Sequence, residues 1–414
     1  MGFSKIDPGL LFATRIIRLC AYGFLSVILA LYLVQIGLRE QEIGLLFTFT
    51  LIGDAVISLG ITTTADRIGR RRMLLLSAAL MAFAGVAFLV TRNLSLLILA
   101  AIVGVISPSG NEIGPFLSIE QAALSQLLPN ERRTHIFAWY NLVGSFATAL
   151  GALVGGLMSQ HLQAAGFTPL ASYRVVLIGY ALGGVVLALL FLCLSPAVET
   201  EIRPVTTYRT LGLHRSRNIV IKLSALFALD AFAGGFIVQS MLAYWFHIKF
   251  GADPGLLGRI FFGANILAGI SALLAARIAA RIGLINTMVF THVPSNILLC
   301  LVPFMPGLPL AIGVLLARFS ISQMDVPTRQ SYTMAVVAPD ERSAASGVTA
   351  IARSVGAALS PALSGVLLAY PFLVGVPFLV AGGLKIVYDL LLYHSFRTLK
   401  PSEENPDSLK VQAR

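Results

Sequence analysis

Long apolar stretches recur along the whole chain, and they constrain its fold more than any other feature of the sequence. Of the 414 residues, 57% are hydrophobic and only 12% are charged, whereas soluble domains are about 25% charged. A helix that crosses about 30 Å of hydrocarbon needs about 20 apolar residues. Lipid offers no hydrogen bonds to an open backbone, so such stretches must be helical. The composition excludes a soluble globule and predicts a bundle of transmembrane helices.

We predict an all-α membrane protein with twelve transmembrane helices. The predicted spans are residues 11–34, 43–64, 73–91, 95–128, 135–160, 173–194, 220–247, 255–276, 285–305, 310–338, 344–370 and 372–396. No small-residue cleavage site follows the apolar core of the first stretch, so we interpret it as a span and not as a removed signal peptide.

The basic residues outside the spans are distributed unevenly between alternating segments. The segments on the side of the two termini contain Arg67, Arg70, Arg71, Arg72, Arg132, Arg133, Arg203, Arg209, Arg215, Arg217, Arg277 and Arg281. The opposite loops contain Arg39, Arg92, Lys249 and Arg259. Cytoplasmic loops carry the excess of Lys and Arg, so we predict that both termini are cytoplasmic. Because topology accounts for the net charge of +11, nucleic acid is not an expected partner.

An internal repeat divides the sequence into two similar halves. The matching residues are Pro129, Glu131 and Arg132 with Pro339, Glu341 and Arg342, and the stretch 65–69 with 279–283. Parallel six-helix repeats are a known transporter plan. We therefore predict a first half at 1–194, a polar cytoplasmic linker at 195–219, a second half at 220–396, and a disordered cytoplasmic tail at 397–414.

Residues 62–71 read TTTADRIGRR and lie between the second and third predicted spans. Together with the repeat, this stretch resembles the G-x-x-x-D-R-x-G-R-R loop of the major facilitator superfamily, and the resemblance covers essentially the full chain. It implies two pseudo-symmetric six-helix halves, with Asp66 helping to latch them at the cytoplasmic face while the cavity opens outward. Arg67, Gly69 and Arg70 belong to the same conformational motif. The family's first glycine is replaced by Thr62. The alternative is that these charges only anchor the topology.

A second motif lies in the fifth predicted span. Residues 151–156 read GALVGG, which is similar to the G-P-x-x-G-G motif of antiporters in this superfamily, with alanine in place of proline. Small residues at this spacing also allow ordinary close packing of helices. Both interpretations stay open at the level of sequence.

Charged residues inside the spans should face a cavity, a partner or the headgroups, because a charge in lipid is costly. These residues are Arg15, Arg18, Asp54, Glu112, Glu120, Arg174, Asp230, Arg318, Asp325, Arg329, Arg353, Lys385 and Asp389. Most of them fall on spans 1, 4, 7 and 10, which line the central cavity in the superfamily. We predict that Arg15 and Arg174 extend to the headgroups, and that Lys385 pairs with Asp389 along one helix face.

Three acids are candidates for substrate binding or proton coupling. Glu112 and Asp325 each lie shortly before a proline in the fourth span of their half, where proline loosens a helix. Asp230 lies in span 7, and intramembrane acids of this kind often mark proton or substrate pathways. Arg18 and Asp54 complete the candidate set. The alternative is that these acids are neutral or ion-paired and only structural.

The repeat also predicts gate residues. Glu120 and Arg329 occupy nearly equivalent positions in the two halves, on helices that approach each other across the cytoplasmic side of the cavity in the superfamily. We predict that these opposite charges pair when that side closes. Arg18 and Asp230 show the same opposition and are predicted to form a second pair.

Other chemistry is sparse in this sequence. Cys20, Cys193 and Cys300 lie in separate apolar spans and read as small hydrophobic residues, not as disulfide or metal ligands. The histidines have no metal-ligand spacing, and His292 is the one singled out for a role. The sequence has no phosphate-binding loop that would support ATP-driven transport. We predict no enzyme activity, no cofactor and no metal.

We therefore predict a secondary active transporter that exports a small organic compound in exchange for protons. Uptake of a small metabolite by symport or facilitated diffusion is the alternative, and a membrane receptor with a transporter-like fold is a more distant one. The expected partners are the small-molecule substrate, protons and membrane lipids, and the expected state is a monomer. Short loops suggest a bacterial inner-membrane protein.

Overall fold

A computed structural model describes residues 6–112, 114–128, 130–199 and 214–397 of the chain. The regular secondary structure of this part is helical. The α-helices are α1 (Asp7–Ser26), α2 (Leu29–Gln35), α3 (Glu40–Ile68), α4 (Arg70–Val90), α5 (Leu94–Val103), α6 (Phe116–Leu127), α7 (Asn130–Ala164), α8 (Pro169–Leu192), α9 (Arg217–Gly235), α10 (Gln239–Phe250), α11 (Pro254–Ile282), α12 (Leu284–Leu301), α13 (Leu308–Phe319), α14 (Asp325–Val336), α15 (Arg342–Leu368) and α16 (Val376–Phe396). The predicted tail from 398 onward and the linker residues 200–213 lie outside the described residues.

The helices account for the twelve predicted spans, and the all-α fold is confirmed. Within the described residues, ten helical segments are long and apolar enough to cross a membrane, and the two shorter apolar helices are Leu94–Val103 and Leu308–Phe319. Spans 1, 4, 7 and 10 each consist of two consecutive α-helices, α1–α2, α5–α6, α9–α10 and α13–α14. The other eight spans are single helices. Most of the charged residues predicted to lie inside spans therefore belong to the four spans with an interrupted backbone.

Local signals in the sequence explain where several helices begin and end. The side chain of Asn93 accepts hydrogen bonds from the backbone at the start of α5, and that of Thr168 does so at α8, as N-cap residues commonly do. Gly251 ends α10 in the left-handed conformation, which glycine adopts without strain. Gly69 joins α3 to α4 with a φ of 116°, and Gly283 joins α11 to α12 with a φ of 85°. These two glycines are equivalent in the repeat.

The chain divides into two compact units. The first contains the described part of Met1–Pro204 together with Val238–Ile266 and Pro361–Tyr370. Its helices pack closely through small residues. A Cβ added at Gly151 on α7 would lie 2.0 Å from the carbonyl oxygen of Cys20 on α1, which is too close for any side chain. Glycine at this position therefore lets the first and fifth spans touch.

Parts of the second sequence half complete this first unit at one end of its spans. Gly44 on α3 lies against Gly365 on α15, and a Cβ added at Gly44 would be 2.9 Å from the Gly365 Cα. Gly156 on α7 meets Gly258 on α11 in the same way, at 2.7 Å. The Ser240 hydroxyl on α10 donates to the Ser26 carbonyl at 2.7 Å. These contacts join both sequence halves at the end of the spans that carries the loop 36–39.

The second unit contains the described part of Val205–Ile237, with Leu267–Ser360 and the described part of Pro371–Arg414. Its apolar core is formed by α9, α12, α14 and α16, and the buried residues are Leu223, Phe227, Ile285, Met288, Val289, Tyr332, Tyr388, Leu392 and Phe396. A Cβ added at Gly356 on α15 would lie 2.2 Å from the Ala228 carbonyl oxygen on α9. The first and fifth spans of the second half thus touch as their counterparts do in the first half.

Candidate functional site

Four charged side chains and a tyrosine form a buried group in the first unit, which we call the first-half cluster: Arg15, Arg18, Glu112, Glu120 and Tyr140. Arg15 and Arg18 are three residues apart on α1 and therefore share a helix face. The Arg18 guanidinium donates to Glu112 at 2.8 Å and to Glu120 at 2.7 Å. Arg15 donates to Glu112 at 2.9 Å. Two arginines and two glutamates balance one another in this cluster.

Arg15 does not extend to the headgroups, and that prediction was wrong. Its side chain is 6% exposed. Beyond Glu112, its guanidinium donates to the backbone carbonyl of Tyr140 at 2.7 Å and to the side chain of Asn141 at 3.2 Å. Three acceptors inside the protein bind the Arg15 guanidinium, and these charge-assisted hydrogen bonds replace those that water would make at the headgroups.

Glu120 is fully buried, and its carboxylate has several hydrogen-bond donors. The Thr14 hydroxyl donates to it at 2.9 Å, Arg18 donates to both of its oxygens, and the Tyr140 hydroxyl donates to it as well. A buried charge without such partners would be strongly unfavourable. The carboxylate is therefore locked to α1 and α7 in this conformation.

The other glutamate of the cluster lies in the interruption between α5 and α6. Glu112 belongs to the non-helical stretch after α5, and its side chain is 14% exposed. This stretch contains Gly110 and Gly114, whose φ angles are 69° and 78°, a region that favours glycine. Asp54 on α3 accepts a hydrogen bond from the Gly114 backbone at 2.5 Å. Asp54 therefore anchors the interruption and makes no ion pair with the arginines of the cluster.

The second unit contains a group of five charged side chains, the second-half cluster: Asp230, Asp325, Arg329, Arg353 and Lys385. Asp230 lies at its centre, 2.5 Å from the Lys385 ammonium and 2.9 Å from the Arg329 guanidinium. Arg353 approaches Asp230 to 3.7 Å. Asp325 pairs with Arg329 at 3.2 Å, one helical turn along α14. Basic residues from three other helices, α14, α15 and α16, thus converge on Asp230 of α9.

The pairing of Lys385 with Asp230 was not predicted from the sequence. The prediction that Lys385 pairs with Asp389 was wrong. Lys385 reaches across to Asp230 on α9. Asp389 instead accepts from His292 at 2.8 Å and from Asn296 at 3.1 Å, both on α12. Residues four apart on a helix face the same side, but they pair with each other only where no better partner packs against that side. The isolated His292 within an apolar span was the one signal available in the sequence.

The structure brings predicted gate residues together in pairs that differ from the proposed ones. Arg18 pairs with Glu120 inside the first-half cluster, and Arg329 pairs with Asp230 inside the second-half cluster. The pairs Glu120–Arg329 and Arg18–Asp230 remain predictions for another conformation. Forming them would require an exchange of the present partners.

The motif between α3 and α4 is built around a helix N-terminus. Asp66 is exposed and pairs with Arg70 at 2.8 Å, and Arg67 is exposed. The Glu199 carboxylate accepts from the backbone of Arg70 at 2.7 Å and thereby caps the positive end of α4. Gly69 has a positive φ, and a Cβ added there would lie 3.2 Å from that carboxylate. Glycine is favoured at position 69 because the turn needs a positive φ and because a side chain would crowd the Glu199 carboxylate.

The GALVGG stretch on α7 makes backbone contacts along its length. In addition to the contact of Gly151 with α1, a Cβ added at Gly155 would lie 2.3 Å from the Phe24 carbonyl oxygen, and one at Gly156 would lie 2.3 Å from that of Pro254. Each glycine thus allows a neighbouring helix to approach, which small residues do throughout membrane proteins. This geometry favours the packing interpretation of the motif.

Twelve spans in a two-half repeat, with an ion-paired cluster of intramembrane charges in each unit, are features of membrane transport proteins. The sequence profile of the Major Facilitator Superfamily matches residues 11–361. The chain therefore belongs to the Major Facilitator Superfamily.

Similar proteins agree with this assignment. The chain is 31% identical to the uncharacterized membrane protein YJR124C of Saccharomyces cerevisiae, over 93% of each chain. It is 24% identical to the multidrug resistance protein MdtG of Escherichia fergusonii, over 74% of this chain and 73% of that protein. Among solved structures, a bacterial homolog of the human lysosomal transporter Spinster, in an inward-facing and occupied conformation, superposes with a TM-score of 0.73. That match has 15% identity and covers 96% of this chain and 98% of the other.

Proposed function

We propose that this protein exports a small organic compound in exchange for protons, by alternating access between two six-helix halves. The observation that carries this proposal is the position of the buried acids. Glu112 and Asp325 lie at the interruptions of spans 4 and 10, which are equivalent in the repeat. Glu112 is ion-paired to Arg15 on α1, and Asp325 is ion-paired to Arg329 one turn further along α14. Protonating such an acid breaks an ion pair, and so a proton can bias the equilibrium between two conformations.

Contacts inside the first unit support alternating access. If both termini are cytoplasmic, the loop 36–39 is extracellular, and the contacts of Gly44 with Gly365 and of Gly156 with Gly258 close the outer end of the spans. The Tyr244 hydroxyl on α10 donates to Glu40 on α3 at 2.6 Å, at this same end. Opening toward the outside requires all of these contacts to separate. These contacts would then form an outer gate, and this gate is closed in the conformation described here.

Export is supported by the likeness to MdtG, which is named for multidrug resistance. The specific observation that favours the alternative, uptake by symport, is the excess of basic residues in the second-half cluster. If the substrate is an anion, protonation of Asp230 or Asp325 would strengthen its binding, so proton and substrate would travel together. If proton and substrate compete for the same acids, they would travel in opposite directions. The pH dependence of substrate binding distinguishes the two directions of coupling.

The test is transport by the purified protein in proteoliposomes, with and without a pH gradient, using compounds found in a binding screen at two pH values. Glu112→Gln, Asp230→Asn and Asp325→Asn should each be compared with Asp253→Asn, an exposed acid outside both clusters. Loss of gradient dependence with retained substrate exchange in at least one of the three cluster variants is the expected result. Unchanged gradient-driven transport in all three would refute proton coupling by these acids.

We further propose a monomer with cytoplasmic termini in a cell membrane, divided into halves at 1–194 and 220–396. The uneven distribution of arginines supports the orientation. The bacterial inner membrane is supported only by the short loops, and the similar yeast protein makes a eukaryotic membrane an equal candidate. Labelling of single cysteines from either side of intact vesicles tests the orientation directly.

A further inference from the structure

A buried pair of titratable side chains lies between α12 and α16, outside both clusters. The imidazole Nδ1 of His292 is 2.8 Å from the Asp389 carboxylate, and the two side chains are 5% and 1% exposed. An ionised carboxylate only accepts hydrogen bonds, so Nδ1 carries the hydrogen of this contact. The Asn296 amide donates to the other carboxylate oxygen at 3.1 Å. The second ring nitrogen of His292, Nε2, is then the atom at which the pair can gain a proton.

Two residues that contact the pair have a buried polar atom without a hydrogen-bond partner in the described part of the chain. These atoms are Oδ1 of Asn296 and the hydroxyl of Tyr388. The Tyr388 ring packs edge-on against the His292 ring, with the centroids 6.0 Å apart. Native proteins rarely leave such atoms unsatisfied. A charged imidazole has one more N–H to donate than a neutral one, and Asn296 Oδ1 is an open acceptor one turn along α12 from His292.

The pair lies beside the second-half cluster. Asp389 follows Lys385 by one turn of α16, and the Lys385 ammonium is 2.5 Å from Asp230. The buried titratable and charged side chains on the helices that pack against α12 are Lys385, Tyr388 and Asp389 on α16, Asp325, Arg329 and Tyr332 on α14, and Arg318 on α13. A proton gained by His292 therefore adds a positive charge next to the ion pairs centred on Asp230. A charge that acts differently on two conformations shifts the equilibrium between them.

The partner of Asp389 differs in kind from the partners of the cluster acids. Asp230 and Asp325 are ion-paired to Arg329, whose charge is fixed. Within the described residues, Asp389 makes its one ion pair with His292, and histidine is the side chain that ordinarily changes its charge between about pH 5 and 8. We propose that the His292–Asp389 pair is a further proton-binding site of the transport cycle, in addition to the acids of the clusters. This inference rests on the proposed proton coupling but not on the direction of transport.

The first experiment measures protonation of the pair without any transport. In the full-length protein in detergent, replacing the five other histidines by glutamine leaves His292 as the single histidine, and NMR of its ¹⁵N-labelled imidazole reports the charge of the ring. We expect the ring to change from neutral to charged as the pH falls from about 8 to 5. In the Asp389→Asn variant of this protein, the proton affinity of the ring should fall roughly 10- to 100-fold, the loss typical of one hydrogen bond to a charged group.

The second experiment measures gradient-driven transport in proteoliposomes. His292→Gln and Asp389→Asn should retain substrate exchange without a gradient and lose the part of transport that a pH gradient drives. Asp389→Glu keeps the carboxylate and should keep part of the coupling, which a loss of packing alone would not explain. The matched control is His161→Gln, which replaces an exposed histidine on α7 and should behave like the wild type.

Two results would overturn this site. One is an imidazole that keeps the same charge from about pH 8 to 5, a measurement that leaves both residues of the pair intact and so does not depend on whether their variants fold. The other is unchanged gradient-driven transport in folded His292→Gln and Asp389→Asn. Failure of the proposed transport function looks different. In that case the His292 ring titrates and responds to Asp389→Asn, which supports the proton-binding site, yet the wild-type protein moves no compound in response to a pH gradient.

Discussion

The contact between α3 and α15 allows a direct test of the outer gate. A methyl group introduced by Gly44→Ala would lie 2.4 Å from the Pro361 carbonyl oxygen and 2.9 Å from the Gly365 Cα. Both atoms belong to the backbone, so no side chain can rotate away and the two helices must separate. Overpacking of this kind costs roughly 1–3 kcal/mol. If the contact is made only when the outer end is closed, as proposed, the substitution should shift the equilibrium toward the outward-open state by about 5- to 150-fold.

The shift can be measured as a distance. In a background without the three native cysteines, spin labels at Gln41 and Tyr370 report on the separation of α3 and α15 at the proposed outer end. Gly44→Ala should increase the population with a long distance. Gly60→Ala on the same helix is the matched control, because nothing lies within 4 Å of a Cβ at that position.

Gly156→Ala introduces a similar collision with a different helix and should produce the same shift, which guards against a local defect at Gly44. The reasoning fails if both variants fold, bind ligand and show the wild-type distance distribution. It also fails if Gly60→Ala opens the outer end as much as Gly44→Ala does.

Three other perturbations have defined outcomes. Burial by itself raises the pKa of Glu341, but hydrogen bonds from the backbone N–H groups of residues 214–216, just before α9, outweigh this effect and lower it to about 2. The contribution of the Glu341 carboxylate to stability should be complete above its ordinary pKa near 4.5 and disappear as the pH falls toward 2. The difference in melting temperature between the wild type and Glu341→Gln should therefore shrink over that range. A difference that stays constant with pH would contradict the role of these hydrogen bonds. Asp66→Asn should shift the population toward the inward-open state if Asp66 latches the outward-open one, and label distances between the cytoplasmic ends of α3 and α15 would show it. If the gate pair forms, Glu120→Arg combined with Arg329→Glu should recover part of the transport that either single change removes, and a folded double variant without recovery rules the pair out.

Much of the fold follows from the sequence because the lipid environment leaves few choices. A stretch of about 20 apolar residues in hydrocarbon must be a helix, so the number and approximate position of the spans were predictable from composition alone. The predicted first span at 11–34 corresponds to α1 and α2, with a break after Ser26 that no proline in the stretch and only the single glycine Gly23 precedes. The break between α5 and α6 was better signalled, because prolines and glycines crowd residues 104–115.

The residues of the candidate site were visible in the sequence, but most of their partners were not. An ionisable residue inside an apolar span stands out because it is rare and costly there, which is why Arg18, Glu112, Asp230 and Asp325 could be selected without a structure. Sequence spacing suggested that Lys385 would pair with its neighbour one turn away, and that prediction was wrong.

The sequence by itself determined that this chain is a membrane protein of twelve spans with an internal repeat and a small set of charges that must avoid lipid. Only the tertiary structure decided how those charges are partnered: Arg15 and Arg18 with two glutamates, Lys385 with Asp230, and Asp389 with His292. The physical reason is that helix formation in lipid depends on local composition, whereas an ion pair depends on which helix faces are brought together. Those faces are chosen by close contacts of glycine with a neighbouring backbone, between residues that lie far apart in the chain.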